Sequence, residues 1–361
     1  MIDLVTVEEG HTLAAYGGYP ELATTVHELE DSATQVVRRL NGRTVWMVNS
    51  TAHGGGVAEM MPVIVSLLRQ LGVRTEWAVI RPHDGRFFPL TKRLHNLLHG
   101  AGEPNLGPDD RALYESVSRR LADEFRSWVA PEDLLVINDP QPLGMGAIIK
   151  KELGVRAIWR SHIGLKEETR ATREVWEFPM PWLGAYDRTV FSLGEYVPSL
   201  LSGRAHIIYP TIDPLDDKNR ELSKHELIGI LTSAALAATT HPSLNPPFDA
   251  PALRLQRDGS FAPATQPEDL GLLFRPIVTQ ISRWDHLKGF VPLLQGFSLL
   301  KERQAAQRPE QNKRRLGLTR LVLAGPDPEG STTIPRPRRS SGRSVRCGEG
   351  SPPNCSATSL W

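Results

Sequence analysis

A strand that runs straight into three consecutive glycines and then a helix constrains this chain more than any other stretch. It reads Val45-Trp46-Met47-Val48-Asn49-Ser50-Thr51-Ala52-His53-Gly54-Gly55-Gly56-Val57-Ala58-Glu59-Met60. The strand is apolar, with valines at its ends, and so suits burial on both faces of a parallel sheet. Val57, Met60, Met61, Ile64, Leu67, Leu68 and Leu71 then recur at helical spacing, and Gly72 stands where a C-cap belongs. Glycines between the two elements let backbone N–H groups come close to a ligand at the helix start. A tight strand-to-helix turn without a ligand is the plain alternative. Three glycines exceed what such a turn needs, which favours a small-molecule site.

The same alternation continues from Arg43 onward. Strands are expected at 44–49, 75–80, 134–138, 156–160, 188–192 and 206–209, and helices at 57–71, 110–129, 143–153 and 194–202. An amphipathic helix is expected earlier, around 24–40. Pro62 inside the first of these helices is tolerated if hydrogen bonding begins near Glu59, which places the proline in the first turn. Strand–helix alternation means crossover connections and a mostly parallel sheet covered on both faces. A helical stretch follows over Glu221–Ala238, then a loop over 239–270 rich in proline, asparagine and threonine. Alternation restarts with a strand at Pro276–Ser282, a helix at Phe290–Lys301 and a strand at Arg320–Ala324.

From Ser331 the periodicity stops and arginine, serine and proline dominate, a composition that cannot bury enough apolar surface to order itself. It reads as a frameshifted or mis-spliced C-terminus, or as a natural disordered tail. The expected organisation is therefore a first Rossmann-like domain over 1–208, a partial second one over 209–330, and a tail over 331–361.

Composition excludes several classes. The 361 residues are 40% hydrophobic and 23% charged, with a formal net charge of +1. That is a soluble globular balance with a real core, and it gives no reason to expect nucleic acid or an anionic membrane as partner. The two cysteines, Cys347 and Cys355, both lie in the tail, which excludes a disulfide framework and a Cys-rich metal site. Without a signal-like segment or a long apolar run, the expected address is cytoplasmic.

In open α/β sheets, ligands bind beyond the carboxyl ends of strands. Four segments fall at such ends. The first is the glycine turn, Gly54, Gly55 and Gly56. The second is Asn138-Asp139-Pro140-Gln141-Pro142, where Asp139 can accept from hydroxyls, or where the loop is merely capped. The third is Trp159-Arg160-Ser161-His162-Ile163-Gly164, where His162 donates to a sugar hydroxyl or a developing charge, or is structural. The fourth is Ser282-Arg283-Trp284-Asp285-His286-Leu287-Lys288-Gly289. Arg283 ends a strand and Lys288 opens the next helix, and two cations at a helix N-terminus suit a diphosphate. The glycine turn lacks the Lys-Ser/Thr of a P-loop and does not match G-x-G-x-x-G, which argues against an ATPase and a nicotinamide enzyme.

Taken together, these segments resemble the retaining glycosyltransferases of GT-B architecture, with two facing Rossmann-like doubly wound parallel sheets, and in particular the trehalose synthase group. Further matching stretches are Phe87-Phe88 with Thr91-Lys92 and His95-Asn96, Ile212-Asp213-Pro214-Leu215 with Lys218-Asn219, and Leu321-Val322-Leu323-Ala324-Gly325-Pro326. The resemblance covers roughly residues 40–330, with the second domain incomplete. It implies transfer of glucose from a nucleoside-diphosphate-glucose to free glucose with retention, giving trehalose. It also implies His162, Arg283 and Lys288 as catalytic residues, and Gly54, Gly55, Gly56, Asp139 and Asp213 as substrate contacts. No metal and no cofactor is expected, because the nucleotide-sugar is a substrate. The partners expected are the nucleotide-sugar and glucose, without nucleic acid or membrane, and a homodimer is admitted. Ser161 and Gly164 stand where the group usually has Cys and Asp. Two glutamates that the group carries in the later half of the second domain have no counterpart here. A retaining trehalose phosphorylase and a non-catalytic sugar- or nucleotide-binding remnant are the alternative readings.

Overall fold

The computed structural model describes residues 1–216, 218–238, 252–264, 272, 275–306, 315–326 and 358–360. The chain divides into two compact units, Met1–Arg220 and Glu221–Trp361.

In the first unit, β1 (Ile2–Leu4), α1 (Leu13–Gly17) and α2 (Pro20–Leu40) precede β2 (Val45–Asn49), α3 (Gly56–Gln70), β3 (Thr75–Ile80), α4 (Phe87–Leu98) and α5 (Pro108–Phe125). Then come β4 (Leu134–Asn138), α6 (Leu143–Leu153), β5 (Arg156–Ser161), α7 (Arg170–Trp176), α8 (Met180–Leu183), β6 (Arg188–Phe191) and β7 (Ala205–Ile207). The sheet order is β1-β3-β2-β4-β5-β6-β7. All pairings are parallel except β1 against β3, which is antiparallel.

Alternate strand residues feed two cores, one on each face. Trp46, Val48, Leu135, Ile137, Ala157 and Trp159 join the larger cluster. Val45, Met47, Trp77 and Val79 join Met61 and Val65 of α3 in the smaller one. This two-sided burial is why β2 reads as a continuous apolar run. Each fully buried large apolar side chain contributes about 1.5–3 kcal/mol.

Several elements depart from what periodicity suggests. The expected helix over 194–202 is two 3₁₀ turns, Gly194–Tyr196 and Ser199–Leu201. Pro198 separates them: it has no N–H to donate and holds Val197 extended at φ −73°, ψ 115°. Pro62 lies in the second turn of α3, not the first, since the helix begins at Gly56 and its first bond runs from Glu59 N–H to the Gly55 carbonyl at 3.0 Å. At the other end, Gly72 takes φ +84° and Val73 donates to Leu68 at 2.9 Å, a Schellman closure. The helix α4 is an addition to the alternation. Its apolar residues Phe87, Leu90, Leu94, Leu97 and Leu98 are all buried.

The first compact unit runs beyond the expected division at 208/209. Residues 209–220 are tied to it by Tyr16 Oη donating to Asp213 Oδ2 at 3.1 Å, Tyr19 Oη to the Pro214 carbonyl at 3.3 Å, and Lys218 Nζ to Glu59 Oε2 at 2.7 Å.

The second unit contains α9 (Lys224–Ser233), a hairpin of β8 (Leu253–Leu255) and β9 (Phe261–Pro263), and β10 (Ile277–Ile281), α10 (Phe290–Ala306), β11 (Arg320–Ala324) and β12 (Thr358–Leu360). β10 and β11 pair in parallel through α10, a strand–helix–strand unit, and β12 adds to β11. The hairpin falls inside the stretch expected to be loop. Its turn is an Asp258-Gly259 pair, with Gly259 at φ +85° and Asp258 Oδ1 accepting from Ser260 N–H at 2.9 Å. That dipeptide is a hairpin signal in its own right. The rest of 239–270, and the tail apart from Thr358–Leu360, lie outside the described residues.

Candidate active site

The first unit's sheet reverses its order at β2. β3 lies on one side of it and β4 on the other. Such a switch point is where open α/β sheets bind ligands, at the carboxyl ends of the strands. The loops leaving β2, β4 and β5 at this edge carry Gly54, Gly55 and Gly56, then Asp139, then His162.

The glycine turn is built by its own neighbours. Asn49 accepts from Trp77 Nε1 at 2.8 Å and donates from Nδ2 to the Thr51 carbonyl at 2.8 Å. Thr51 Oγ1 accepts from His53 N–H at 3.1 Å and donates to the His53 carbonyl at 2.7 Å. Gly54 sits at φ +81°, which only glycine adopts without strain. Gly55 is extended at φ −170°, and Gly56 is the first residue of α3. A Cβ on either Gly55 or Gly56 would meet nothing within 4 Å. Their lack of a side chain therefore answers no packing demand among the described residues.

Asn138 links the next two loops. It donates from Nδ2 to the Val48 carbonyl at 3.1 Å, so its Oδ1 faces His162 Nε2, also 3.1 Å away. An oxygen there accepts, so Nε2 carries the proton and Nδ1 is left as acceptor for Ser192 Oγ at 3.4 Å. Burial first, and the Arg160 guanidinium second, push His162 down to about 4. The ring is therefore neutral at physiological pH, able to donate a hydrogen bond but carrying no charge.

Asp139 takes the left-handed conformation, at φ +62°. Its N–H donates to the Arg160 carbonyl at 2.8 Å, and its own carbonyl accepts from Trp159 Nε1 at 3.0 Å. Its Oδ1 accepts the His162 backbone N–H at 2.9 Å. Asp139 therefore does not cap α6, whose N-cap is Pro142. That helix start is held instead by Tyr114, whose hydroxyl donates to the Pro140 carbonyl at 2.5 Å and accepts from Gly144 N–H at 3.1 Å. Burial pushes the Asp139 carboxyl up to about 6 against the opposing pull of the His162 N–H and Arg160.

Ser161, Gly164 and Asp213 have local explanations. Ser161 is buried and donates from Oγ to the Ile163 carbonyl at 3.0 Å. A Cβ on Gly164 would stand 2.4 Å from Tyr196 Cβ and 2.8 Å from its Cα, so an aspartate does not fit there beside Tyr196. Asp213 uses both carboxylate oxygens within the chain, Oδ1 for Leu215 N–H at 2.9 Å and Oδ2 for Tyr16.

In the second unit, Arg283 and Lys288 lie on the loop that joins β10 to α10. Both are exposed. Lys288 closes a short 3₁₀ turn, His286–Lys288, and Gly289 at φ +70° separates it from α10, so it precedes that helix and does not open it. The loop is braced by Trp284, whose Nε1 donates to the Pro326 carbonyl at 2.7 Å and whose ring lies 4.9 Å from that of Phe290. Gly325 allows this approach, since a Cβ there would come within 2.5 Å of the Ser282 carbonyl.

A separate groove of about 470 Å³ lies between the loop after β3 and α5, lined by His83, Asp84, Arg86, Arg120 and Glu124 among others. None of the predicted site residues lines it. Among the described residues no His, Cys, Asp and Glu cluster has the makings of a metal site. No described helix is long and apolar enough to cross a membrane.

Sequence reasoning quoted Asn49, Asn138 and Arg160 only as parts of segments and passed over Ser192. Polar residues that end apolar strands were the available signal.

The doubly wound first unit, with the candidate loops at its switch point, is a Rossmann-like α/β domain. A crystal structure of a UDP-forming α,α-trehalose-phosphate synthase from Burkholderia xenovorans shares that fold. The TM-score is 0.50 at 16% identity, over 80% of this chain and 67% of that one. Residues 47–198 match the family model for the trehalose synthase N-terminal domain. The trehalose synthase of Pyrococcus horikoshii is 34% identical over 266 residues, 73% of this chain and 54% of that protein. That of Pyrococcus furiosus is 31% identical over 305 residues, covering 83% and 62%. A trehalose phosphorylase of Pleurotus pulmonarius is 27% identical over 198 residues, covering 48% and 25%. The chain thus spans between half and two thirds of the length of the trehalose synthases it matches.

Proposed function

We propose that the chain acts in trehalose-forming glycosyl transfer, moving glucose from a nucleoside-diphosphate-glucose to free glucose with retention. The observation that carries this reading is the pair Gly55 and Gly56. They stand at the start of α3 at the switch point, and a Cβ on either would meet nothing among the described residues within 4 Å.

A departing nucleoside diphosphate gains negative charge as the glycosidic bond breaks. Amides at the start of α3 would stabilise that charge more than they stabilise the bound donor; for Arg283 and Lys288 of the second unit, a contact to a diphosphate is what the family resemblance implies. His162 would reach the sugar by exchanging its long Nδ1 contact with Ser192 Oγ for a sugar hydroxyl, while Nε2–H stays on Asn138, and it would do so without adding a charge that opposes an oxocarbenium-like centre. Asp139 would accept from an acceptor hydroxyl. Under this reading no divalent metal is needed.

Incubating the protein with a nucleoside-diphosphate-glucose and glucose should yield α,α-trehalose. Product from glucose 1-phosphate alone would replace this reading with a retaining phosphorylase, which the likeness to trehalose phosphorylase makes the specific alternative. Calorimetric binding of the nucleoside diphosphate with no turnover from either donor would leave a binding module.

A further inference from the structure

The parallel register sets three polar residues in a row across the carboxyl ends of adjacent strands. Met47 pairs with Val136, and Val136 with Ile158. Two residues further along each strand, on the same face, stand Asn49, Asn138 and Arg160. Asn49 and Asn138 have their amides engaged within the chain, as described above. Arg160 does not. Its side chain makes no hydrogen bond or ion pair among the described residues, and its Nε is buried without a partner. A guanidinium carries five donors, and one left half-buried and unpartnered costs free energy unless something else accepts from it.

The neighbours of Arg160 indicate what that something is. Asp139 is close enough for the two charges to act on one another, and its Oδ1 is held by the His162 N–H. No hydrogen bond within the described residues engages its Oδ2. One cationic donor and one carboxylate acceptor side by side sum to little net charge. An anion would gain from Arg160 but be repelled by Asp139, whereas a neutral polyol with vicinal hydroxyls can donate to one and accept from the other.

We propose that Arg160 is a sugar-contacting residue of this site, pairing with Asp139 Oδ2 to bind adjacent hydroxyls of a pyranose. This rests on the glycosyl-transfer reading and names a specificity determinant within it. The test uses the full chain and two probes, D-glucose and inorganic phosphate. Binding is followed by calorimetry and by the fluorescence of Trp159, whose indole donates to the Asp139 carbonyl.

Arg160→Met should weaken glucose roughly tenfold or more, as for loss of a charged hydrogen bond, and leave phosphate unchanged. Arg160→Lys keeps a cation but loses the planar fork, and should also weaken glucose; it serves if the Met variant fails to fold. Equal glucose affinity in the folded variants, no saturable glucose binding by the unmodified chain, or a loss confined to phosphate would each overturn the proposal. Arg160-dependent glucose binding in a chain that turns over no nucleotide-sugar would sink the transfer reading and keep this one. Turnover with an unchanged glucose KM in Arg160→Lys would do the reverse.

Discussion

The backbone N–H of His162 donates to Oδ1 of Asp139 at 2.9 Å, tying the loop after β5 to the loop after β4. Because Asp139 is also left-handed, at φ +62°, this one bond joins a strained backbone position to a histidine of the candidate site. Asp139→Ala should destabilise the chain by about 1–3 kcal/mol, from the lost acceptor and a poorer left-handed residue. Asp139→Asn, which keeps both properties, should cost about 1 kcal/mol or less. Urea denaturation of the two variants checks the difference.

Asp139 and His162 should pull stability in opposite directions with pH. The Asp139 carboxyl is raised from 3.8 to about 6, so its contribution is greatest at low pH and is lost as pH rises through that window. His162 is lowered from 6.5 to about 4, so its contribution is present above 6.5 and is lost as pH falls towards 4. Relative to the unmodified chain, Asp139→Asn should lose stability between pH 6.5 and 4, and His162→Gln between pH 4 and 6. Urea midpoints at pH 4.5 and 6.5 decide this, and parallel profiles for both variants would contradict it.

The His162 ring should be the Nε2–H tautomer at neutral pH, since Asn138 Oδ1 accepts from it. Nitrogen-15 shifts of the labelled imidazole report the tautomer directly. Asn138→Ala should both release that preference and cost about 1–3 kcal/mol, because the Val48 carbonyl would be left without its side-chain donor.

Substitutions in the glycine turn should separate stability from activity. Gly54→Ala should cost about 1 kcal/mol, because its φ is positive. Gly55→Ala and Gly56→Ala should leave the thermal midpoint nearly unchanged, as an added methyl meets nothing within 4 Å. Trehalose formation should nonetheless fall by at least about tenfold in both if the backbone approaches the donor. Unchanged rates would remove the ligand argument for these residues.

Arg283→Ala and Lys288→Ala should each weaken nucleoside-diphosphate binding by about 1–3 kcal/mol in calorimetry. Both side chains are exposed, so neither variant should unfold more readily than the unmodified chain. Undiminished affinity in both would count against a diphosphate role.

What the residues determined alone was the α/β alternation, most strand positions and the edge that carries the site. Short continuous apolar runs ending in glycine or in polar residues suit parallel strands covered on both faces, and Val45–Asn49 and Leu134–Asn138 form such strands. Local signals were also present but unread in the Asp258-Gly259 hairpin and in the apolar spacing of α4. Tertiary structure decided the rest. Whether Asp139 caps a helix or receives the His162 N–H depends on two loops far apart in sequence meeting at one sheet edge. Gly164 is packed against Tyr196, and Asp213 is held by Tyr16, contacts that no pattern along the chain encodes. Which polar side chains find a partner among the described residues and which, like Arg160, find none there is set by strand register, and register is a property of the assembled sheet.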